Sequence, residues 1–109
     1  MFFIKKSNWR NDTYVYSHYF FPRIKNGKDA EFRKWFDSSN QAFSGFPGFI
    51  SRKLLKPLES GNYVAVVEFE SRAGFKAMHS SSLRDKEAQQ VRPLFDGKTT
   101  PEFYEVISG

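Results

Sequence analysis

The sequence predicts an α+β fold in which one strand and one helix are followed by a strand hairpin, a second helix and a last strand. Two observations predict it. Short runs rich in aromatic and β-branched residues alternate with segments in which apolar residues recur at helical spacing. Turns that contain glycine or proline separate these segments. The chain has 109 residues, which suits one domain.

The first half of the chain predicts a strand and then a helix. Thr13 to Phe21 is rich in aromatic and β-branched residues, and Pro22 closes the run, which is typical of a strand. Asp29 is expected to cap a helix that ends near Phe43. The helical spacing is carried by Ala30, Phe32, Trp35, Phe36 and Phe43.

The middle of the chain predicts a hairpin. Residues 49–58 and residues 63–70 both have the composition of strands. Ser60, Gly61 and Asn62 form a tight turn between them. Two strand-like runs joined by a short loop that contains glycine are expected to pair as antiparallel neighbours.

The last third predicts helical segments and a final strand. Ser71 is expected to cap a helix that ends near His79. Three serines at 80–82 are expected to interrupt it, and a further helical piece covers residues 83–94. Residues 101–107 predict the last strand. The whole order is the ferredoxin-like βαββαβ pattern with an antiparallel sheet.

The N-terminal residues differ in character from this domain. Residues 1–12 are polar and basic after Ile4, and we expect an N-terminal arm that precedes a domain over residues 13–109. Three apolar residues at 2–4 are too few for a signal peptide, although they could form a short strand. No apolar run approaches the ~18–20 residues of a membrane span. We therefore expect a soluble, cytoplasmic protein that has no membrane partner.

The composition excludes several kinds of site. The chain has no cysteine, which excludes disulfides, thiolate zinc sites and cysteine nucleophiles. Two histidines without an obvious third ligand argue against a zinc site, and we expect no metal. The net charge is +5, but the basic residues are scattered and form no block of five. Nucleic-acid binding usually needs a clustered basic face, so no nucleic-acid partner is expected.

The strands of the hairpin and of residues 13–21 are apolar or aromatic on both faces. In the run 63–70, Ala65, Val67 and Phe69 share one face, while Val64 and Val66 share the other. A sheet that is covered on one side only should instead alternate apolar and polar residues. Both predicted helices cover the same face. We therefore expect a homodimer in which a second copy covers the other face.

The chain also resembles a known family, the antibiotic biosynthesis monooxygenases. The motifs that carry the resemblance are Pro47-Gly48-Phe49 at the start of the second strand, the hydrophobic hairpin, and Phe69-Glu70-Ser71 after the third strand. A helix with an internal Phe75 and a His79 near its end follows, and the ending PEFYEV fits as well. The resemblance covers about residues 13–108.

Membership of this family implies a ferredoxin-like fold that dimerises sheet to sheet into an α/β barrel, with a pocket between sheet and helices. It implies either a cofactor-independent oxygenase of small phenolic or quinol compounds, or a heme-binding or heme-degrading monooxygenase. Other members have no known activity, so a non-catalytic dimeric module that binds a small, aromatic or otherwise apolar ligand is a third alternative. Two of these alternatives need no cofactor, and the other needs heme.

The heme-degrading branch has an Asn in the first strand, a Trp, and a His ten residues after the Trp. Residues 75–79 resemble the context of that His, and Phe69 stands ten residues before His79. Phe69 replaces the Trp, however, and the first strand offers Ser17 and His18 in place of the Asn. A second alignment, which keeps the third strands matched, places His79 one turn before the heme ligand.

His79 is the candidate catalytic base, because histidine exchanges protons near neutral pH. It lies one helical turn after Phe75, so both are expected to face the same interior. A partly buried histidine bonded to a carbonyl is the alternative. His18 shares a strand face with Tyr16, and both are expected to line either the pocket or the dimer interface.

Three further residues are candidate substrate contacts. Trp35 could roof a pocket and direct its indole N–H at a ligand, although a role in the core is the alternative. Arg52 lies among apolar neighbours in the second strand, where a guanidinium needs a carboxylate or an anionic ligand. Glu68, across the hairpin, is the expected partner. Phe69 and Phe75 complete the set of aromatic candidates.

Overall fold

The computed structural model describes residues 14–109, so the predicted N-terminal arm lies outside the described residues. The described residues form six strands, three helices and one short 3-10 turn over Arg92–Leu94. In chain order the elements are β1 (Val15–Phe20), β2 (Arg23–Ile24), α1 (Asp29–Phe43), β3 (Phe49–Leu55), β4 (Val64–Phe69), α2 (Arg72–His79), α3 (Ser82–Val91), β5 (Phe95–Asp96) and β6 (Thr100–Glu105).

Four strands form the main sheet in the spatial order β3-β4-β1-β6, and all neighbours are antiparallel. This order is the one that a βαββαβ chain produces when its first and third strands lie at the centre. The predicted ferredoxin-like fold is therefore confirmed. The small ribbon formed by β2 and β5 was not predicted; Arg23 forms an ion pair with Asp96 across it, at 2.8 Å.

The helix starts show one confirmed and one wrong prediction. Ser71 caps α2, and its hydroxyl accepts a hydrogen bond from the Gly74 amide at 3.0 Å. Asp29 does not cap α1, which begins after Lys28 without a side-chain cap. Asp29 is the first helical residue instead, and its carboxylate accepts a hydrogen bond from Tyr63 and pairs with Arg33. The interruption between α2 and α3 occurs at the predicted serines.

The core lies between the helices and one face of the sheet. Its two clusters are centred on Phe32 and on Phe69, both fully buried. Alternation along β4 directs Ala65 and Val67 into this core together with Phe69. The opposite sheet face is apolar but exposed. Its exposed rings and aliphatic side chains are Tyr16, Phe20, Leu55 and Tyr104.

A β-bulge in β3 decides which residues of that strand face the core. The register shifts between Phe49 and Ser51, so Arg52 lies opposite Val67 and Leu54 lies opposite Ala65. Ile50 falls at the irregularity and is exposed. In a regular strand Ile50 and Arg52 would share a face, but the bulge changes the side to which the preceding residue points.

Candidate functional site

Arg52 extends from β3 beneath helix α1, where aromatic rings surround its guanidinium. The guanidinium carbon lies 4.1 Å from the ring centre of Phe36, 4.9 Å from that of Phe43 and 5.6 Å from that of Trp35. Burial lowers the pKa of Arg52 to about 10, so it remains a cation at neutral pH. A cation held over ring faces is favourable because the faces carry negative potential.

The hydrogen bonds of Arg52 differ from the prediction. One terminal nitrogen, Nη1, donates to the Ser39 hydroxyl at 2.9 Å and to the Phe36 carbonyl at 3.4 Å. The expected partner Glu68 faces the other side of the sheet and accepts a hydrogen bond from Ser51. None of the carboxylates in residues 14–109 forms a salt bridge with Arg52.

A partly open cavity of about 90 Å³ adjoins this guanidinium. It lies between the sheet and helices α1, α2 and α3, where the resemblance placed a pocket. Its walls are mostly apolar, with two arginines and one glutamate among them. The lining residues are Tyr19, Phe21, Trp35, Phe43, Arg52, Val67, Met78, Arg84, Glu87, Ala88, Val91 and Thr99.

The Trp35 ring lines the cavity, but its N–H is already used. The indole nitrogen donates to the backbone carbonyl of Glu87 at 3.1 Å, which ties α1 to α3. The expectation that this N–H addresses a ligand is therefore wrong. Trp35 contributes an apolar wall to the cavity and part of the aromatic surround of Arg52.

Tyr19 connects the cavity to His79. Its side chain lines the cavity, and its hydroxyl lies 3.1 Å from His79 Nδ1. The two residues are 60 positions apart in sequence and meet because β1 and the end of α2 lie side by side. Burial raises the pKa of the Tyr19 hydroxyl, an effect that Ser17 and the cations Arg84 and Arg52 oppose.

Burial also acts on His79. Desolvation lowers the pKa of its imidazole below the ordinary 6.5, Arg84 lowers it further, and Asp85 opposes the shift. The neutral imidazole therefore predominates at pH 7, which is the form that accepts a proton. The ring is fixed by aromatic contacts, since the centroids of Phe75 and Phe103 each lie 5.5 Å away.

His79 faces a second, open space on its other side. This groove has a volume of about 860 Å³ and lies between α2 and the β6 edge of the sheet. Phe75 and Phe103 line it with His79, and Arg72 and Lys76 add positive charge at its rim. The Tyr19–His79 hydrogen bond therefore joins a residue of the inner cavity to a residue of the outer groove.

The structure brings some of the predicted site residues together and separates others. Trp35 and Arg52 meet at the cavity, and Phe75 and His79 meet at the groove. Phe69 is fully buried and packs between Phe49 and Phe75, so its predicted contact with a substrate is not supported.

The other two candidates lie on the opposite side of the sheet. Tyr16 and His18 point to the exposed face, away from the helices, which separates them from the cavity. The His18 ring contacts Tyr104 at a centroid distance of 4.8 Å. This position does not support the predicted place in the pocket, and the place at a dimer interface stays a prediction.

Sequence reasoning missed Tyr19, Phe103 and Glu87. Alternation along β1 could have indicated Tyr19, because it shares a face with Val15 and Ser17, both of which are buried. No local pattern indicates its contact with His79, which depends on how α2 packs against the sheet.

The residues do not fit the heme-degrading arrangement that the resemblance raised. Of its three positions, the one held by Phe69 is fully buried, and so is Ser17 in the first strand. His18, the other first-strand residue considered, faces away from His79. Only His79 is placed beside an open space. A titration with hemin tests this conclusion directly. A Soret band that appears with the wild type and is lost in His79→Gln would contradict it.

Within residues 14–109, no three histidine, aspartate or glutamate side chains cluster as a metal site would require. Among the described helices, none combines the length and the apolar character needed to cross a membrane.

The described residues form a ferredoxin-like α+β domain with a cavity between its sheet and its helices. The sequence profile of the antibiotic biosynthesis monooxygenase family matches residues 16–90 of the chain. The match spans more than half of the sequence, and the chain belongs to this family.

Solved structures with the same fold agree with this assignment. A candidate antibiotic biosynthesis monooxygenase of Caulobacter crescentus superposes with a TM-score of 0.79 at 16% identity, covering 90% of this chain and 93% of that one. SnoaB of Streptomyces nogalater, a cofactor-independent oxygenase, superposes with a TM-score of 0.67 at 22% identity, covering 90% and 94%. No curated protein matched the sequence.

Proposed function

We propose that this protein is a cofactor-independent oxygenase of small phenols or quinols. The observation that carries the proposal is the hydrogen bond between Tyr19, which lines the cavity, and His79, whose imidazole is neutral at pH 7. A hydroxyl that is hydrogen-bonded to a neutral imidazole next to an apolar cavity gives the proton of a bound phenol a path to a base. SnoaB, which shares the fold, is a cofactor-independent oxygenase, and this likeness supports the proposal by analogy.

The first step is a proton transfer. The substrate hydroxyl donates to the Tyr19 oxygen while Tyr19 donates to His79 Nδ1, with the other imidazole nitrogen carrying its hydrogen. The proton of Tyr19 passes to His79 as Tyr19 takes the proton of the substrate. This leaves a substrate anion in the cavity and an imidazolium at the groove. The apolar walls keep the anion poorly hydrated, which favours its oxidation.

The second step consumes oxygen and needs no other oxidant. The substrate anion gives one electron to O₂, and the resulting radical and superoxide combine into a carbon–oxygen bond. His79 returns its proton through Tyr19 to the peroxide. The carbon that now carries the peroxide, as CH–OOH, was the ring CH₂ of the keto tautomer of the substrate. Loss of water from this CH–OOH group gives a carbonyl, so that CH₂ and O₂ give C=O and H₂O. Four electrons leave the carbon and reduce the two oxygen atoms.

The exposed face of the sheet supports a homodimer as the working form. It presents Tyr16, Phe20, Leu55 and Tyr104 to solvent, and it carries both Lys53 and Glu68, so that a second copy can offer complementary charges to the first. Sedimentation over a range of concentrations tests this proposal. We expect a dimer that Val66→Lys converts into monomers, and a wild-type monomer at micromolar concentration would contradict it.

Oxygen consumption tests the proposed activity. The purified protein is mixed with a panel of single-ring hydroquinones and activated phenols, and dissolved oxygen is followed with an electrode. We expect uptake that His79→Gln abolishes and that His18→Gln, the matched change on the other sheet face, leaves intact. Uptake that survives His79→Gln, or no uptake with any compound, would contradict the proposal and favour a ligand-binding module without catalysis.

A further inference from the structure

The charged groups around the cavity are unbalanced. Arg52 and Arg84 line it with Glu87, which makes two guanidinium groups to one carboxylate. Arg84 has a second carboxylate, Asp85, at 3.9 Å on the surface side. Arg52 has no salt-bridge partner among the described residues and is half-buried. The interior of the cavity is therefore positive.

Arg52 also keeps donors unused. A guanidinium carries five N–H donors, and the hydrogen bonds to Ser39 and Phe36 use the two on Nη1. The three on Nη2 and Nε have no acceptor among the described residues. Arg52 is half-buried and lines the cavity, and an anion stabilises a cation that has no counter-charge in such a place. A planar fork of free donors matches the geometry of an anionic oxygen group.

The volume of the cavity limits what can supply that group. An engineered cavity of about 150 Å³ is large enough to bind benzene, and this cavity, at about 90 Å³, is smaller. One end of a single aromatic ring fits, and the rest of the ring extends through the open side. A polycyclic compound would need Met78 or Trp35 to move.

We propose that the cavity binds single-ring aromatic compounds as anions, with Arg52 as the counter-charge to a phenolate or carboxylate oxygen. This inference deepens the proposed function, on which its chemical meaning rests, by naming the substrate class of the same site. Arg52 stabilises the charge that deprotonation creates, so it acts together with Tyr19 on the same ring.

Binding measurements with compounds that do not reduce oxygen test the inference apart from turnover. One arm compares 4-nitrophenol with its neutral analogue 4-nitroanisole, and the other compares benzoate with benzamide. We expect the anion of at least one pair to bind at least about tenfold more tightly than its neutral analogue, as the loss of a hydrogen bond to a charged group predicts. The pair with the larger ratio identifies the oxygen that Arg52 recognises.

Variants separate the role of Arg52 from that of net charge. Arg52→Gln should remove the preference for the anion, while Lys34→Gln, which removes the same charge from the exposed surface of α1, should keep it. Arg52→Lys keeps the charge but not the fork, and should give an intermediate ratio. Thermal unfolding shows whether Arg52→Gln is folded. If it is not, Arg52→Lys alone tests the role of the guanidinium.

Three results would overturn the inference: equal binding of anions and neutral analogues, a preference that survives in Arg52→Gln, and no binding of any probe. Its failure is distinguishable from failure of the proposed function. If the protein prefers anions but consumes no oxygen with any quinol, the binding site is supported and the oxygenase activity is contradicted. If the protein consumes oxygen but does not prefer anions, the oxygenase activity is supported and the proposed role of Arg52 is contradicted.

Discussion

The domain carries two tyrosine–histidine pairs, one on each face of its sheet, and they differ in what surrounds them. Tyr19 and His79 lie on the helix side, joined by a 3.1 Å hydrogen bond, with Tyr19 mostly buried. Tyr104 and His18 lie on the other side, with rings 4.8 Å apart, and Tyr104 is exposed. The same two residue types therefore occur once in a partly buried environment and once in a solvent-exposed one.

The two tyrosines show why the setting matters. Both have a raised pKa, but burial is the main cause for Tyr19, whereas for Tyr104 it is the hydrogen bond that its hydroxyl makes to Glu102. Tyr104 therefore donates to a surface carboxylate, and Tyr19 is paired with a base. Tyr19 lines the inner cavity and is hydrogen-bonded to His79, so the helix-side pair can pass a proton from a ligand in that cavity to a histidine.

The largest expected effect breaks the helix-side pair. Tyr19→Phe removes the hydroxyl that links the cavity to His79 and should lower kcat/KM for the oxygenase reaction by at least about 100-fold, the lower range for general acid–base catalysis. Tyr104→Phe, the matched change on the other face, should alter it by no more than about twofold. Steady-state oxygen uptake measures both. Equal losses in the two variants would contradict the division between the faces.

The next effect compares neighbouring valines of β4 that point to opposite faces. Val67 is 1% exposed, and Val67→Ala removes two buried carbons. Each carbon contributes about 0.8 kcal/mol, and the cavity left behind adds to the loss, so the free energy of unfolding should fall by about 2 kcal/mol. Val66 faces the open side, where Val66→Ala should cost about half as much in a dilute monomer.

Protein concentration sharpens this comparison. Urea denaturation at several concentrations should give a constant loss for Val67→Ala, because its contacts lie within one chain. The loss for Val66→Ala should grow with concentration if a second copy covers that face, since association stabilises only the folded protein. A loss for Val66→Ala that is independent of concentration would contradict the dimer.

The fold could be predicted because its causes are local. Apolar runs, the Ser71 cap and the serines between the two helices of the second half all depend on neighbouring residues. The prediction failed at Asp29, where an alternative partner, Tyr63, competes for the carboxylate from 34 positions away. It failed again at Arg52, because a one-residue bulge is enough to change which side of a strand meets the core.

The site was less predictable, since its contacts are tertiary. His79 was identified from its residue type and its spacing from Phe75, both of which the sequence shows. Its partner Tyr19 was not, because the hydrogen bond depends on the packing of α2 against β1. The structure also separates the two histidines by sheet face: His79 lies on the helix side next to an open groove, and His18 lies on the opposite, exposed face.

The smallest expected effect is a shift of the acid limb of the pH profile. Desolvation lowers the pKa of His79 below 6.5, so the neutral base is present above that pH and is lost as the pH falls through the lowered value. Oxygen uptake should therefore still exceed half of its maximum at pH 6.5 and reach its midpoint only below that pH, and NMR titration of the His79 ring should give the same midpoint. Arg84→Gln removes a cation that contributes to the shift, and should move both midpoints upward together. If the midpoint of oxygen uptake and that of the His79 titration differ, another group limits the reaction, and His79 does not act as its base.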